Sequence, residues 1–388
     1  MAKLLETIDL VTNFYTYEGV VKALDNVSLR LDHGMTFGLV GESGCGKSVT
    51  VRSMMRIIQE PGKVEGGKIL FYPTAGGDSE GIDLLQQTES YMRSLRGDSI
   101  SMIFQEPNAA LNPIMSIGDQ VSESFLFHRK GEMCKKINDD LSAADCRTFY
   151  PLKKVLQVFY RIGEKKPESW LLKMMGWIPI LKRWDKKLRQ EALRRSVEII
   201  EKLGIANAAE IAKRYPHNLS GGMKQRIVIA IALACNPILL IADEATSNLD
   251  VTIQAQILEL LKELKQKEIS SVLLITHDLG IVAETCDRVG VMYAGNLCEV
   301  ADIKDLFRSP KHPYTRALLN SVPRLSQEGE LKSIEGSVPN LVTPPSGCRF
   351  HPRCPHAMAV CKGVFPEMVE VAKNHQVACY WAASQKKL

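Results

Sequence analysis

The sequence lacks an apolar run long enough to cross a membrane. Its longest apolar stretch, residues 227–242, is interrupted by Asn236 and Pro237, whereas a spanning helix needs about 20 consecutive apolar residues. The first residues carry an early acid, Glu6, and no long apolar core, so we expect no signal peptide. Both absences favour a protein of the reducing cytosol.

Short cysteine pairs of the kind that bind zinc are also missing. The chain has 10 cysteines, and a reducing compartment argues against a disulfide framework. Four of them fall in the last 41 residues with the spacing C-x5-C-x6-C-x17-C: Cys348, Cys354, Cys361 and Cys379. Structural zinc sites usually use C-x2–4-C pairs, and an iron–sulfur cluster tolerates wider loops. The crowding indicates a metal site, and the spacing alone leaves zinc and iron–sulfur open.

Charge is close to balanced overall but unevenly distributed. The net charge is +5, and residues 129–195 hold 18 Lys/Arg and 8 Asp/Glu, so this segment is +10 and the rest is −5. It also contains Trp170, Trp177 and Trp184. Tryptophans flanked by cations suit a membrane interface. The alternative is an extra helical hairpin that packs its aromatic side chains against neighbouring helices.

The stretch GESGCGKS at residues 41–48 is a full G-x-x-x-x-G-K-S pattern. The apolar run 36–40 before it predicts a buried strand, and residues 49–58 after it predict a helix. Glycines let backbone N–H groups curl around phosphates, and the helix N-terminus adds partial positive charge. Lys47 would reach the β- and γ-phosphates, and Ser48 would offer a hydroxyl to Mg²⁺. The predicted nucleotide-binding residues are Gly41, Glu42, Ser43, Gly44, Cys45, Gly46, Lys47 and Ser48.

Three further predicted strands, 238–242, 99–104 and 271–275, are followed by polar residues. The first precedes Asp243 and Glu244; we expect Asp243 to hold Mg²⁺ and Glu244 to orient the attacking water. The second ends beside Gln105, a candidate contact for Mg²⁺ or water, because strand ends point into the ligand crevice of an α/β sheet. The third leads to His277, a candidate partner of the γ-phosphate.

Two other stretches are candidate nucleotide contacts. Ser220 is a plausible cap for a helix that begins with Gly221 and Gly222, which would make a second anion site. Residues 4–11 and 22–31 alternate apolar and polar side chains and predict antiparallel strands. Between them, Tyr15 is the preferred candidate for stacking on the base and Tyr17 the alternative; an aromatic on a surface hairpin is the purely structural interpretation.

In this order the motifs resemble the ATP-binding subunit of an ABC transporter over residues 1 to about 305. The matching stretches are GESGCGKS, Gln105, LSGGM at 219–223, ILLIADE at 238–244, SNLD at 247–250 and His277. The resemblance implies an α/β fold with a RecA-like phosphate-loop ATPase core, an antiparallel β subdomain and an inserted helical subdomain at about 106–234, which carries the basic insertion 129–195. It also implies a head-to-tail dimer, in which Ser220, Gly221 and Gly222 of one subunit close on the ATP of the other. Asn248 stands where Ala is common, and we expect it to tune the dimer contact.

Residues 306–388 are similar to the C-terminal extension of the oligopeptide/dipeptide importers. The similarity rests on HPYTRALL at 312–319, SVP at 337–339 and CRFHPRCP at 348–355. It implies a small C-terminal cysteine module that holds a [4Fe–4S] cluster on the four cysteines, besides ATP and Mg²⁺ as cofactors. The expected function is ATP hydrolysis that drives import of di- or oligopeptides. Members of this subfamily also import nickel or oligosaccharides, so the resemblance does not determine the transported solute.

The resemblance implies several partners. They are two transmembrane permease subunits, a second and paralogous ATPase subunit, and an external solute-binding protein reached through the complex. The expected location is the cytoplasmic side of the cell membrane, as a peripheral subunit. A soluble ABC ATPase that acts on nucleic acid is the alternative, because the +10 segment can form a basic patch. That class usually has a long coiled coil or two cassettes in one chain; neither occurs here, so we expect no nucleic-acid partner.

Overall fold

The computed structural model describes residues 2–74, 80–142, 150–165, 182–245, 251–267, 271–321 and 334–385. The strands of these ranges are β1 (Lys3–Thr16), β2 (Gly19–Asp32), β3 (Thr36–Val40), β4 (Gly62–Phe71), β5 (Ile82–Asp83), β6 (Ile100–Ile103), β7 (Leu239–Asp243), β8 (Ser271–Ile275), β9 (Arg288–Tyr293), β10 (Asn296–Asp302), β11 (Val369–Ala372) and β12 (His375–Val377). The α-helices are α1 (Lys47–Met54), α2 (Glu89–Leu95), α3 (Pro107–Ala110), α4 (Ile117–His128), α5 (Lys130–Ser142), α6 (Tyr150–Lys165), α7 (Lys182–Lys202), α8 (Ala208–Ile211), α9 (Gly221–Leu233), α10 (Val251–Lys267), α11 (Leu279–Thr285), α12 (Ile303–Arg308), α13 (Pro313–Asn320) and α14 (Tyr380–Ser384).

These elements form two compact units. The first unit contains the described parts of residues 1–92, 238–245 and 261–388, and the second contains those of 93–237 and 246–260. The phosphate loop, Asp243, Glu244, His277 and the C-terminal residues therefore belong to the first unit. Gln105 and the helix that begins at Gly221 belong to the second.

An antiparallel sheet in the first unit has the strand order β2-β1-β4-β5. β1 and β2 pair over nearly their whole length, with Tyr15 opposite Val20 close to the hairpin turn. Apolar side chains such as Leu10, Leu24 and Val27 are fully buried, because alternate residues of a strand face the same side. The predicted strands 4–11 and 22–31 are present and are longer than the alternation indicated.

The main sheet of the first unit runs in the order β11-β12-β10-β9-β3-β8-β7. β3 lies between β8 and β9, and β7 pairs with β8, all in parallel. Every residue of β3, β7 and β8 is buried, as expected for central strands covered on both faces. Their carboxyl ends meet at one edge, where the chain continues into Gly41, Glu244 and Thr276.

The C-terminal residues extend this sheet instead of forming a separate layer. β12 pairs antiparallel with β10, and β11 pairs with β12. At the junction the fully buried carboxylate of Glu299 accepts hydrogen bonds from the N–H groups of Lys311 and His312 at 2.7 and 2.9 Å and contacts His375 Nε2 at 2.6 Å. The segment from residue 334 onward is thus anchored in the sheet that positions the phosphate loop.

The described residues of the second unit are mostly helical. α4 packs on α7, and α5 packs on α6 and α7. The α5 and α6 side chains buried in these contacts are Met133, Cys134, Ile137, Leu141, Leu156, Phe159 and Tyr160. The described part of the basic segment is therefore a packed helical hairpin followed by α7; Trp170 and Trp177 lie outside the described residues. No helix in the described ranges is both long enough and apolar enough to cross a membrane.

Candidate active site

The phosphate loop follows β3 directly, and α1 begins at Lys47. A Cβ atom on Gly41 would lie 2.2 Å from the carbonyl oxygen of Met292, and one on Gly46 would lie 2.9 Å from that of Ala23. Only glycine fits such close approaches of backbone to backbone. α1 ends at Met54, earlier than the predicted residue 58, and Arg56 beyond it has a left-handed φ of 51°.

The Lys47 side chain is buried and lies across the start of the loop. Its Nζ donates hydrogen bonds to the carbonyl oxygens of Gly41 at 2.8 Å and Glu42 at 3.0 Å. The ammonium group is thereby held inside the ring of backbone that the sequence motif predicts. Burial raises the pKa of the neighbouring Cys45 thiol, against the opposing effect of the Lys47 charge.

Ser48 and Asp243 meet where α1 approaches the end of β7. Ser48 Oγ donates to Asp243 Oδ1 at 2.8 Å, and Asp243 is fully buried. Burial raises the pKa of Asp243, against the opposing effect of the Ser48 hydrogen bond. The second carboxylate oxygen, Oδ2, is buried and has no hydrogen-bond partner in the part of the chain that the structure describes. Mg²⁺ prefers oxygen ligands. The Ser48 hydroxyl and the Asp243 carboxylate, whose Oδ2 is not hydrogen-bonded within the described residues, are therefore suitable ligands for it.

Glu244 and His277 come together because β7 and β8 are parallel neighbours. His277 Nδ1 lies 3.5 Å from Glu244 Oε1. Glu244 has a left-handed φ of 47°, and its N–H donates to the carbonyl oxygen of Ile275 at 3.0 Å. A non-glycine residue held in that conformation stores strain, and such strain is common at functional sites. Asp278 fixes the next turn by accepting hydrogen bonds from two N–H groups of α11.

The predicted site residues of the second unit lie at two element ends. Gln105 is half-buried just after β6. Ser220 caps α9, its Oγ accepting from the N–H of Met223 at 3.4 Å. Ser220 and Gly221 are exposed, and a Cβ on Gly221 would meet no atom within 4 Å. This helix N-terminus is thus open to an anion; residues 247–250 lie outside the described residues.

The two candidate tyrosines differ in how firmly they are held. The Tyr15 hydroxyl donates to Glu65 Oε1 at 2.7 Å, and the residue is 48% exposed. Tyr17, in the hairpin turn, is 98% exposed. The ring of Tyr15 is therefore accessible to a base, and its hydroxyl is held by the hydrogen bond to Glu65.

The four C-terminal cysteines line one small cavity together with Phe350 and Trp381. They are free thiols, and burial raises the pKa of Cys348 to about 12. Backbone N–H groups point at three of the sulfurs: those of Phe350 at Cys348, of His356 at Cys354, and of Trp381 and Ala382 at Cys379. Within the described ranges no three His, Cys, Asp or Glu side chains are grouped tightly enough to hold a single metal ion.

Sequence reasoning missed two residues that contact the phosphate loop. Arg353 forms a two-pronged ion pair with the Glu42 carboxylate, and the Tyr314 hydroxyl accepts from the Glu42 N–H at 2.9 Å. Arg353 is separated from Glu42 by 311 positions. The sequence contains no local signal for a contact of that range.

Comparison with known proteins agrees with this geometry. The family model described as ABC transporter matches residues 24–247, and the model described as oligopeptide/dipeptide transporter, C-terminal region, matches residues 298–361. The chain belongs to the ABC transporter ATP-binding family. The family resemblance expected from the motifs is thereby confirmed.

Relatives of this ABC protein match along its whole length. It is 43% identical to the dipeptide transport ATP-binding protein DppD of Bacillus subtilis over 100% of this chain and 96% of that protein. It is 41% identical to the oligopeptide transport ATP-binding protein AppD of the same organism, over 98% and 97%. Among solved structures, the dimeric ATP-binding cassette MJ0796 bound to ADP and Pi has a TM-score of 0.53 at 20% identity, over 77% of this chain and 98% of that chain. That likeness supports the α/β fold of an ABC cassette.

Proposed function

We propose that this chain is the ATP-hydrolysing subunit of a binding-protein-dependent ABC importer for di- or oligopeptides. The observation that carries the ATPase part is the meeting of Ser48 with Asp243 and of Glu244 with His277 at one edge of the parallel sheet. The peptide part is supported by the match of residues 298–361 to the oligopeptide/dipeptide transporter region and by the names of the relatives.

Each predicted site residue of the first unit would have its own role in ATP hydrolysis. Ser48 and Asp243 would hold Mg²⁺, which offsets charge on the phosphates when bound. Lys47 would exchange its carbonyl contacts for the β- and γ-phosphates. Glu244 would orient water for attack, and His277 would donate to the γ-phosphate. Gln105 would act as a contact for Mg²⁺ or water from the second unit.

The remaining nucleotide contacts and partners follow from the family. Ser220, Gly221 and Gly222 would close on the ATP of a second, paralogous ATPase subunit in a head-to-tail dimer; the open N-terminus of α9 supports this. Two transmembrane permease subunits and an external binding protein would complete the complex, with this chain on the cytoplasmic face of the membrane. We further propose that residues 1–305 act as the ATPase domain and 306–388 as the importer-specific extension.

Substitution of Glu244 tests the hydrolytic role. Glu244→Gln keeps the shape of the side chain and removes the carboxylate, so we expect ATP to bind while turnover falls by roughly 10²-fold or more. Lys47→Ala should instead weaken nucleotide binding itself. Steady-state ATPase rates and equilibrium ATP binding separate the two effects. Wild-type turnover by Glu244→Gln would show that Glu244 is not the group that activates water.

The solute is tested with the assembled transporter. The tagged chain is purified from its native membrane with its permeases and reconstituted in vesicles with the cognate binding protein. Di- and oligopeptides should stimulate ATPase activity and accumulate in an ATP-dependent way. Stimulation by an oligosaccharide or Ni²⁺ instead, with peptides inert, would replace the peptide assignment while leaving the ATPase role intact.

We also propose that Cys348, Cys354, Cys361 and Cys379 hold a [4Fe–4S] cluster. Structural zinc sites usually use C-x2–4-C pairs, and the four cysteines have the wider spacing C-x5-C-x6-C-x17-C. A four-iron cluster has a larger body and accepts N–H hydrogen bonds on its sulfurs. The shared cavity and the backbone N–H groups around it support that assignment.

Metal analysis tests the cluster without reference to transport. Protein purified without oxygen should be brown and contain about four irons and four sulfides per chain. Cys379→Ser should remove the colour while ATP still binds, and Cys286→Ser, at a buried cysteine outside the cavity, should keep it. Colourless anaerobic protein with one zinc per chain would contradict the cluster.

A further inference from the structure

The phosphate loop forms an ion pair with Arg353, a residue far outside the loop motif. Arg353 Nη1 donates to Glu42 Oε2 at 2.8 Å, and Nη2 donates to Glu42 Oε1 at 3.1 Å. The Arg353 side chain is only 7% exposed and that of Glu42 25%. A bidentate pair shielded in this way is geometrically specific and screened little by salt.

The guanidinium group of Arg353 is itself held in place. Its Nε donates to the carbonyl oxygen of Glu335 at 2.8 Å, and Nη2 also donates to that of Ile334 at 3.2 Å. Nη1 also donates to the Tyr293 hydroxyl at 3.2 Å. All five N–H donors of the group are thereby used, so Arg353 presents a fixed fork to Glu42.

Glu42 in turn is held at three points. Its carboxylate accepts from Arg353, its N–H donates to the Tyr314 hydroxyl at 2.9 Å, and its carbonyl oxygen accepts from Lys47 Nζ at 3.0 Å. Two of these three partners come from the C-terminal part of the chain and the third is the phosphate-binding lysine. Any shift of Glu42 therefore moves the carbonyl oxygen to which Lys47 is hydrogen-bonded.

We propose that Arg353 is a positioning residue of the ATP site, which acts through Glu42 on the phosphate loop. It holds the first turn of the loop in its nucleotide-binding shape and neutralises a carboxylate that would otherwise repel the triphosphate. The inference rests on the proposed function, since it presupposes that the loop binds ATP. Arg353 belongs to the C-terminal extension and precedes Cys354, which lines the cysteine cavity. The extension is thereby a working part of the ATP site.

Binding of Mg-ATP to the purified full chain tests the inference. We expect Arg353→Gln to raise the Kd roughly tenfold, because charge-assisted hydrogen bonds to the loop are lost. Arg353→Lys keeps the charge and the packing of the stem but not the fork, so it should still raise the Kd measurably. In a Glu42→Gln background the same Arg353→Gln change should alter the Kd less than about twofold, because its partner is gone.

A matched control separates positioning from simple anchoring. Arg349, four residues earlier, pairs with Asp25 at 2.8 Å, and its other hydrogen bonds go to the carbonyl oxygens of Lys22 and Ala294, outside residues 41–48. Asp25→Asn should lower the melting temperature without changing the Kd for Mg-ATP. In the assembled transporter, Arg353→Gln should raise the KM for ATP with little change in kcat. The reason is that the lost interaction stabilises bound ATP and the transition state equally.

The outcomes distinguish this inference from the function on which it rests. If Arg353→Gln lowers the melting temperature but leaves the Kd unchanged, Arg353 is only an anchor and the inference is wrong. An Arg353→Gln effect of equal size in the Glu42→Gln background would also overturn it. A wild-type chain that fails to bind Mg-ATP would instead refute the proposed function.

Discussion

At the scale of single residues, the site depends on side chains that neighbouring strand ends bring together. Asp243 ends β7 and leaves one buried oxygen without a protein partner among the described residues. Glu244 follows in a left-handed conformation, and His277 faces it across the sheet edge. These residues were predictable as candidates from the sequence, because ligands of an open α/β sheet bind at the carboxyl ends of its strands.

The base-stacking assignment can be decided by one pair of substitutions. Tyr15→Ala should raise the Kd for ATP roughly 5- to 150-fold, since loss of an aromatic contact costs about 1–3 kcal/mol per base. Tyr17→Ala is the matched control and should leave the Kd unchanged. Equilibrium binding of ATP to both variants provides the measurement. The reverse pattern would assign stacking to Tyr17, the alternative that the sequence left open.

At the scale of elements, several cations of the basic segment form ion pairs within the helical unit. Glu191 on α7 accepts hydrogen bonds from Arg194 and Arg195 and pairs with Lys136 of α5 at 3.0 Å. Its side chain is only 10% exposed. This cluster ties α5 to α7, which helps to explain why a strongly basic segment forms packed helices.

The Glu191 cluster predicts a specific pH dependence. Burial alone would raise the pKa of Glu191, but the hydrogen bonds from Arg194, Lys136 and Arg195 outweigh it and lower the pKa from 4.5 to about 2. Because the pKa is depressed in the folded state, the stabilisation is present above about pH 4.5 and is lost as pH falls towards 2. Glu191→Gln should therefore cost up to about 3 kcal/mol at pH 7, and this cost should shrink as the pH falls below 4.5 and vanish only below about pH 2.

Denaturant unfolding, followed by circular dichroism across this pH range, measures that cost. Glu198→Gln is the control, because Glu198 lies on the same helix and its side chain is 52% exposed. It should change stability by less than about 1 kcal/mol, as expected for a surface pair. Parallel pH profiles for wild type and Glu191→Gln would contradict the role given to the cluster.

Other cations of the segment face outward. Lys135 on α5, Arg161 on α6 and Lys186 on α7 are exposed. We expect these exposed cations to lie near anionic headgroups or a permease loop, where each cation contributes about 1 kcal/mol. Changing all three to Gln should weaken co-sedimentation with anionic vesicles while ATP binding is retained.

A control for this experiment carries the same charge change elsewhere. The exposed cations Lys68, Lys304 and Arg308 lie outside the segment, and their conversion to Gln should leave vesicle binding nearly unchanged. Equal losses in the two triple variants would indicate a general charge effect. No loss in either would favour the packed hairpin as the whole role of the insertion.

At the scale of the first unit, the polar contacts that join the C-terminal extension to the core include three anchors. They are Arg349 with Asp25, Arg353 with Glu42, and the Glu299 carboxylate with Lys311, His312 and His375. Glu299 is fully buried, so it contributes only because each of its oxygens is hydrogen-bonded. The extension is therefore part of the folded core of the ATPase unit.

Replacement of the Glu299 carboxylate tests this integration. Glu299→Gln places an amide N–H₂ against N–H donors, so we expect a loss of about 1–3 kcal/mol of stability. Glu367→Gln, at an exposed position of the same extension, should be neutral. Thermal unfolding and limited proteolysis after residue 334 provide the measurements. Unchanged stability of Glu299→Gln would mean that the extension does not depend on this anchor.

The sequence by itself determined the parts of the ATP site that short motifs encode. The phosphate loop needs glycines at fixed spacings, and β3, β7 and β8 need continuous apolar runs, so both are visible in 41–48, 36–40, 238–242 and 271–275. Helix ends and strand lengths were less predictable: α1 ends at Met54 because of a backbone turn at Arg56, and β1 extends beyond its alternating pattern to Thr16.

Only the tertiary structure decided which distant residues meet. The pairing of Arg353 with Glu42 and the addition of β12 to the main sheet both join positions far apart in the chain. Local propensity and spacing act over a few residues and contain no information about such contacts. They are set by how the sheet stacks its strands and returns the C-terminal segment to the edge where the phosphate loop begins.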